Sequence, residues 1–536
     1  MSDTDEDRQL RLVATLCRAD MLGPGAAELI ETHISRVLLA GNLAWKIKKP
    51  INPGFLDFST LDARRHFCRE ELRLNGRLAP DIYLGVEAIC GSPEAPILIG
   101  DGEDGAESAF EYAVKMTRFP QDRLADRMLA AGQLYPEHLD ELAHTLARFH
   151  GAIRRAAPGD GHGTPERINT PMRRNFSLIR QALGAAPEIT LLDELESWSE
   201  IQFSDLAPLM DRRREQGFVR ECHGDLHLGN IAVLPDGVRV FDGIEFNPEL
   251  LWIDIQSEVA FLVMDCASRG RADLGWRFLD GWLSLTGDYA GLVLWRWYVV
   301  YRALVRGMVA LLRAGQVAAK ARDEAWADGL AHLRLAHGLA HPASPVLILA
   351  HGYSGSGKST AAQELVQGLP AIRLRSDVER KRLFGLAPGA RSGSPLHGGL
   401  YGEDATIATY DELKRLTRLI LSAGHTALVD ACFLLHRQRD EFRALAGKLG
   451  LPCLILDCHA SKEALERRIA RRAEQGGDAS EATIEVLEQQ LATAEPLTAD
   501  ELAVTVVVDN EKESAGEILS SVMRAMSGER GRVGKA

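Results

Sequence analysis

Residues 351–360 read His-Gly-Tyr-Ser-Gly-Ser-Gly-Lys-Ser-Thr, in which Gly352, Gly357, Lys358 and Ser359 keep the G-x-x-x-x-G-K-S spacing of a phosphate-binding loop. Glycines at 352, 355 and 357 permit a tight turn whose successive backbone N–H groups point at one anion. Tyr353, Ser354, Ser356 and Thr360 complete that cradle. Lys358 is placed to reach the β- and γ-phosphates of a nucleotide, and the Ser359 hydroxyl to ligate Mg²⁺. Val346–Ala350 before the loop reads as a buried strand and 360–366 as the start of a helix, whose N-terminus adds partial positive charge. The chemistry implied is binding of a nucleoside triphosphate with Mg²⁺.

A second constellation lies upstream. His223-Gly-Asp225-Leu-His-Leu-Gly-Asn230 spaces an imidazole, a carboxylate and an amide as H-x-D-x-x-x-x-N, and Val240-Phe-Asp242 ends an apolar strand in another carboxylate. Asp225 suits a group that orients a substrate hydroxyl and accepts its proton. Asn230 and Asp242 offer oxygen atoms to Mg²⁺ against nucleotide phosphates. Downstream of the phosphate loop, Asp377 follows the tip of a second strand, where a hydroxyl acceptor would approach the γ-phosphate. That makes Asp377 a candidate general base and Arg380 a clamp on the acceptor or on the transferred phosphoryl group, the bland alternative being a helix-capping Asp on a solvated basic helix. Asp430 and Asp457 each close a later strand and compete for the second metal site. Arg471 and Arg472 lie on a basic helix followed by Gly476-Gly477-Asp478, which reads as a lid or as a solvated face.

These residues need elements to hold them. Ile34–Leu39 and Leu43–Lys48 form a hairpin turned by Ala40-Gly41-Asn42, and 62–78 has the apolar spacing of a helix. Further strands are expected at 82–89, 112–116 and 218–222, and a helix at 136–155. A loop is expected at 158–170, and helices over 250–336. The aromatic segment 295–301 reads as core packing. After the linker 339–345, apolar runs at 346–350, 372–374, 426–429, 454–456 and 505–508 alternate with helices, the signature of a parallel sheet with crossovers. The tail 528–536 reads as disordered. The expectation is therefore a two-domain chain. Residues 1–342 would form a protein-kinase-like α+β domain, with a sheet lobe at about 30–118 and a helical lobe at about 119–338. Residues 343–536 would form an α/β P-loop domain.

The totals bound the function. The 536 residues are 46% hydrophobic and 26% charged, as in ordinary globular proteins, and their number calls for several cores. A net charge of −13 argues against a nucleic-acid or anionic-membrane partner. The eight cysteines form no C-x-x-C pair and fit reduced thiols of a cytoplasmic protein. The start of the chain is acidic and lacks a signal-peptide pattern, and the most apolar long stretch, 292–312, carries Arg296, Arg302 and Arg306, so a membrane span is not expected.

The spacing at 223–230 matches the catalytic loop of protein kinases, and His-Gly-Asp-Leu-His-x-x-Asn with the later Asp242 resembles the aminoglycoside-phosphotransferase and choline-kinase-like branch of that fold over about 30–330. The resemblance implies an ATP-dependent O-phosphotransferase acting on small hydroxyl compounds. It implies a strand lysine at Lys46, with Lys48 on the same face as the alternative, and a partner carboxylate at Glu70 or Glu71. It also implies a hinge at Met116–Phe119 and a loop-bracing acid at Asp254. No G-x-G-x-x-G precedes Lys46, as is usual in this branch, and no antibiotic pocket is legible. The second half resembles P-loop kinases of the zeta-toxin, gluconate-kinase and polynucleotide-kinase group over about 345–525, on the Asp377-x-x-Arg380 element, the arginine-rich helix and Asp478–Ala482. The leading expectation is a bifunctional small-molecule kinase with Asp225 and Asp377 as its bases. The alternatives are a polynucleotide 5′-hydroxyl kinase in the second domain and an ATP-binding regulatory module with one catalytic domain. The acceptors and the oligomeric state are not legible.

Overall fold

The computed structural model describes residues 4–54, 56–393, 398–475 and 479–527; Gly476, Gly477, Asp478 and the tail 528–536 lie outside them. By internal contacts the chain divides into two compact units, Met1–Gly184 with Glu200–Asp265, and Ala185–Ser199 with Cys266–Ala536. This division differs from the 342/343 boundary expected from the sequence. Helices Ala272–Thr286, Leu292–Ala314 and Ala319–Ala340 fall in the same unit as the phosphate loop.

The first unit is built on a six-stranded antiparallel sheet in the order 28–31, 35–40, 43–48, 111–117, 83–92, 95–100. The expected hairpin is present, with Ala40 facing Leu43 across the turn. Side chains alternate faces along a strand, and this alternation decides where the lysines go. On Leu43–Lys48, Trp45 and Ile47 join an apolar cluster with Leu12, Val13 and Leu16 of the helix Asp5–Leu16. Lys46 and Lys48 therefore fall on the opposite face, the face of the helix Leu61–Asn75, which packs Cys68 among Tyr83, Tyr112 and Val114. Residues 158–170 are not all loop. A helix starts at Pro165, because Thr164 caps it through a hydrogen bond from Arg167 N–H and Pro165 occupies the first turn. Within the stretch expected to be helical, Trp252–Asp254 is a short strand antiparallel to Val219–Glu221.

The second unit holds a parallel five-stranded sheet ordered 371–375, 426–430, 347–351, 453–459, 505–509. Both neighbours of the central strand run parallel to it, so the loop leaving His351 emerges where the strand order reverses, the place where such sheets bind ligands. Asp430 lies in register with Ala350 on one side and Arg375 on the other, which brings Asp430 and Arg375 to the same sheet edge as the loop. Among the described residues no helix is long and apolar enough to cross a membrane. In the helix Leu292–Ala314, Trp295, Trp297, Tyr298 and Arg302 are buried, as core packing requires.

An ion pair ties the helix Ala272–Thr286 to this sheet. Arg373, buried on the strand Ala371–Arg375, donates to both oxygens of Asp280 at 2.5 and 3.2 Å, to Gln363 Oε1 at 2.7 Å and to the Ser359 carbonyl at 3.3 Å. Removing one partner strands the other charge away from water. Asp280→Ala is expected to destabilise the second unit by about 3–5 kcal/mol, read as a lowered thermal transition. An unchanged transition would contradict this packing.

Candidate active sites

In the first unit the two lysines share one acid. Lys46 Nζ donates to Glu71 Oε1 at 2.8 Å and Lys48 Nζ to Glu71 Oε2 at 2.7 Å. Glu71 reaches them because its helix position points at the sheet face that both lysines occupy. Glu70, one residue earlier, points elsewhere and pairs with Arg73 at 2.7 Å. Of the two expected carboxylates, Glu71 is thus the one that meets the lysines, and Glu70 is not part of the cluster. Lys46 continues to Asp242 Oδ1, and the fully buried Lys48 to Glu245 Oε1. Geometry therefore separates the lysines: Lys46 joins the candidate metal ligand, and Lys48 is an interior tie.

Burial alone would push the Lys46 ammonium's pKa down, yet Asp242 and Glu71 outweigh it and hold the value well above the ordinary one. Lys48 is likewise raised, its burial opposed by Glu245 and Glu71. The carboxyl of Glu71 is depressed to about 2 because the two lysines outweigh its own desolvation. Glu245 goes the other way: its burial raises it despite Lys48.

Asp242 sits two residues beyond the strand Gly237–Val240, not at its end, and takes a left-handed backbone with φ of 60°. That conformation is costly for a residue with a Cβ and is held by its surroundings. The Asp242 N–H donates to the Tyr83 hydroxyl at 3.0 Å and the Gly243 N–H to Asn75 Oδ1 at 2.6 Å. Phe119, at the expected hinge, packs edge-on against Phe241 with ring centres 5.2 Å apart.

Asn230 Nδ2 donates to the Asp225 carboxylate and to the Asp225 carbonyl, both at 3.0 Å, so the amide orients the candidate base. Its remaining oxygen and Asp242 make an oxygen donor set of the kind Mg²⁺ prefers. The loop rests on Glu258, which the sequence reading missed. Its Oε1 accepts the N–H groups of His223 at 2.6 Å and Gly224 at 2.9 Å, and its Oε2 meets His150 Nε2 at 2.7 Å. Burial raises the Glu258 carboxyl, but the His150 contact and the backbone donors bring it down to about 2. The bracing role expected of Asp254 thus belongs to Glu258, one helical turn later. Asp254 is instead held in a two-pronged pair with Arg213 at 2.7 and 2.9 Å. An acid inside the apolar run Ile255–Ser268 was the available signal.

In the second unit a cleft of about 910 Å³ is lined by Ser354, Gly355, Gly357, Lys358, Ser359 and Thr360 together with Asp377, Arg380, Asp430, Arg471 and Arg472. Most of the expected loop residues therefore share one cavity with the expected base, clamp, metal and lid residues, while Gly352, Tyr353 and Ser356 do not line it. Tyr353 instead packs beside Leu465, Ile469 and Leu487. Gly352 has φ of 135°, and a Cβ there would stand 2.5 Å from the Cys458 carbonyl, so the close approach requires glycine. Lys358 Nζ donates to the carbonyls of Gly352 and Tyr353 at 2.8 and 2.7 Å. Residues outside the motif also hold the loop: Gln490 Oε1 accepts from Ser354 N–H at 2.8 Å, and Asn510 Nδ2 donates to the Ser356 carbonyl at 2.7 Å. Arg468 donates to the Gly355 and Asn510 carbonyls.

Asp430 and Asp457 are also told apart. Both oxygens of Asp457 are taken, by His351 Nδ1 at 2.6 Å and His459 Nε2 at 2.7 Å. Asp430 lines the cleft, its buried Oδ2 3.9 Å from Arg375 Nε and without a hydrogen-bond partner among the described residues, so it is the better candidate to meet a cation. Burial raises the Asp377 carboxyl above its ordinary value although Arg380 and Arg375 oppose it, a shift that suits a proton acceptor. Its position in the first turn of the helix Ser376–Leu383 points it into the cleft that contains Lys358.

Fold and sites thus define two kinase-like regions in one chain. A family model described as "Phosphotransferase enzyme family" matches residues 67–244, and one described as "AAA domain" matches 347–497. Uncharacterized proteins of Mycobacterium tuberculosis (strain H37Rv) and Mycobacterium bovis are each 31% identical to the chain over 458 residues, 85% of this chain and 88% of the relative. The chain belongs to the family of these mycobacterial proteins. Among solved structures, a Plasmodium vivax ethanolamine kinase aligns with 58% of this chain and 81% of its own at 11% identity and a TM-score of 0.36. A gluconokinase from Sinorhizobium meliloti aligns with 35% of this chain and 94% of its own at 21% identity and a TM-score of 0.25.

The Glu70/Glu71 geometry is open to a direct test. Loss of a charge-assisted bond to Lys46 costs about tenfold to a hundredfold. Glu71→Gln is expected to lower ATP-dependent transfer by the first site to that extent, and Glu70→Gln to change it less than about twofold, both measured as kcat/KM for ATP. Equal losses would contradict the assignment.

Proposed function

We propose that the chain is a bifunctional ATP-dependent phosphotransferase, each site moving the γ-phosphoryl group of ATP to a hydroxyl of a small molecule. The observation that carries this reading is the meeting of Asp377 with Lys358 and Ser359 in a single cleft, a proton acceptor beside a triphosphate cradle. A nucleotide-binding regulatory module has no need of a raised carboxylate at that place.

In the first site Lys46, set by Glu71, grips phosphate oxygens, and Asp225, set by Asn230, takes the proton of the acceptor hydroxyl. In the second, Lys358 and the loop N–H groups hold the β- and γ-phosphates, Asp377 takes the proton, and the arginines of 468–472 offset charge that builds on the phosphoryl oxygens. Mg²⁺, held by Asn230 and Asp242 in one site and by Ser359 and Asp430 in the other, would neutralise phosphate charge when bound. The small-molecule acceptor is favoured over a polynucleotide by the net charge of −13.

Asp225→Asn and Lys358→Ala are each expected to remove a separate part of phosphoryl transfer from labelled ATP, by about 10²-fold or more, and the double variant to remove both. A screen of amino alcohols, sugars, nucleosides and 5′-hydroxyl RNA on the two single variants assigns each acceptor to its site. Turnover that is indifferent to either substitution would overturn the two-site reading.

A further inference from the structure

A hydroxyl of the chain itself is bonded to the candidate base of the second site. Ser480 lines the same cleft as Lys358, Ser359 and Asp377, and its hydroxyl donates a hydrogen bond to the Asp377 carboxylate. A general base must lie within hydrogen-bond reach of the proton it takes, and Ser480 meets that condition for Asp377. Other hydroxyls on the cleft wall are engaged differently. Thr406 Oγ1 accepts from Arg380 at 3.2 Å, and the Tyr410 hydroxyl accepts the Phe433 N–H at 3.4 Å.

That bond is one of several that hold the segment. Glu481, the next residue, accepts the Ser392 N–H at 2.9 Å on Oε1 and the Ser392 hydroxyl at 2.7 Å on Oε2. Its Oε1 also lies 3.0 Å from Lys381 Nζ, and the Lys381 side chain is only 2% exposed, so a buried ammonium depends on Glu481 for its counter-charge. Lys381 comes one helical turn after Asp377 on the helix Ser376–Leu383. The helix that carries the base therefore also grips the segment that carries the hydroxyl. On the other side Arg472 donates to the Ala482 carbonyl at 3.0 Å. A hydroxyl positioned in this way reaches the base without a diffusional encounter, an advantage that a free acceptor lacks.

We propose that the chain is itself a phosphoryl acceptor: Ser480 is phosphorylated in cis by ATP bound on the phosphate loop of the same chain. This rests on the reading of the site as a kinase and adds a modification site to it. In the step, the Ser480 O–H gives its proton to Asp377, and Oγ bonds to the γ-phosphorus. The bond from that phosphorus to the β,γ-bridging oxygen breaks. ADP leaves, phosphoserine remains, and Asp377 returns the proton to water.

The test uses the full chain carrying Asp225→Asn, so that transfer reports the second site. The chain is treated with phosphatase, freed of it, incubated with γ-labelled ATP and Mg²⁺, and mapped by peptide mass spectrometry. The expected result is phosphoserine at 480, formed at a first-order rate that does not change when the chain is diluted. Lys358→Ala and Asp377→Asn are each expected to slow its appearance by about 10²-fold or more, and Ser480→Ala to leave that peptide unlabelled. A chain carrying Lys358→Ala, mixed with an active chain carrying Ser480→Ala, is expected to stay bare at Ser480. Label there would mean transfer between chains and would overturn the cis assignment. Phosphate on a different residue, or small acceptors labelled while Ser480 stays bare, would overturn the proposal and leave the kinase reading standing. No label on Ser480 or on any small acceptor, with ATP still bound, would overturn the kinase reading and the proposal with it.

Discussion

Glu71 has 1% of its side chain exposed and carries an ammonium on each oxygen. Two lysines on one carboxylate leave an excess positive charge in a largely buried place, and further carboxylates compensate it. Lys48 is matched by Glu245 and Lys46 by Asp242, so the segment 242–245 is drawn from beyond its strand to the sheet face under the helix Leu61–Asn75. The left-handed backbone at Asp242 is sustained by that pull together with Tyr83 and Asn75. Lys46 and the candidate metal ligand Asp242 are thereby parts of one charge chain.

The second unit solves a similar problem with a different fold. Arg373 is buried on a strand and is compensated by Asp280 from a helix that the sequence pattern assigned to the preceding domain. Because Arg373 also donates to the Ser359 carbonyl, the same guanidinium steadies the first turn after the phosphate loop. Gln490 and Asn510 hold the loop from the other end of the unit's sequence. In each unit a buried ion pair reaches the candidate site, Lys46 with Glu71 in the first and Arg373 with Asp280, through the Ser359 carbonyl, in the second.

Much of this was legible because backbone chemistry leaves a spacing in the sequence. The P-loop glycines, the His223–Asn230 loop and the alternating strands of the second unit are local patterns, and the strands stand within one to three residues of the expected limits. What was not legible depends on side-chain direction and on partners far along the chain. Spacing alone left Glu70 against Glu71 and Lys46 against Lys48 open, and they were separated only when the helix was laid on the sheet. Asp430 and Asp457 look alike as strand-end acids until His351 and His459 are seen to occupy the second. Glu258 was missed because a buried acid in an apolar helix reads as an exception, while its reason, the N–H groups of His223 and Gly224, lies over thirty residues upstream. Asp280 and Arg373 are likewise a pair that no local pattern announces.

The number of nucleotides bound per chain distinguishes two independent ATP sites, one set by Glu71 and one by the phosphate loop, from a single site. Calorimetric titration of the full chain with a non-hydrolysable ATP analogue and Mg²⁺ measures it directly. Two molecules bound per chain are expected, falling to one in Lys358→Ala. A stoichiometry of one in the unaltered chain would contradict two independent sites.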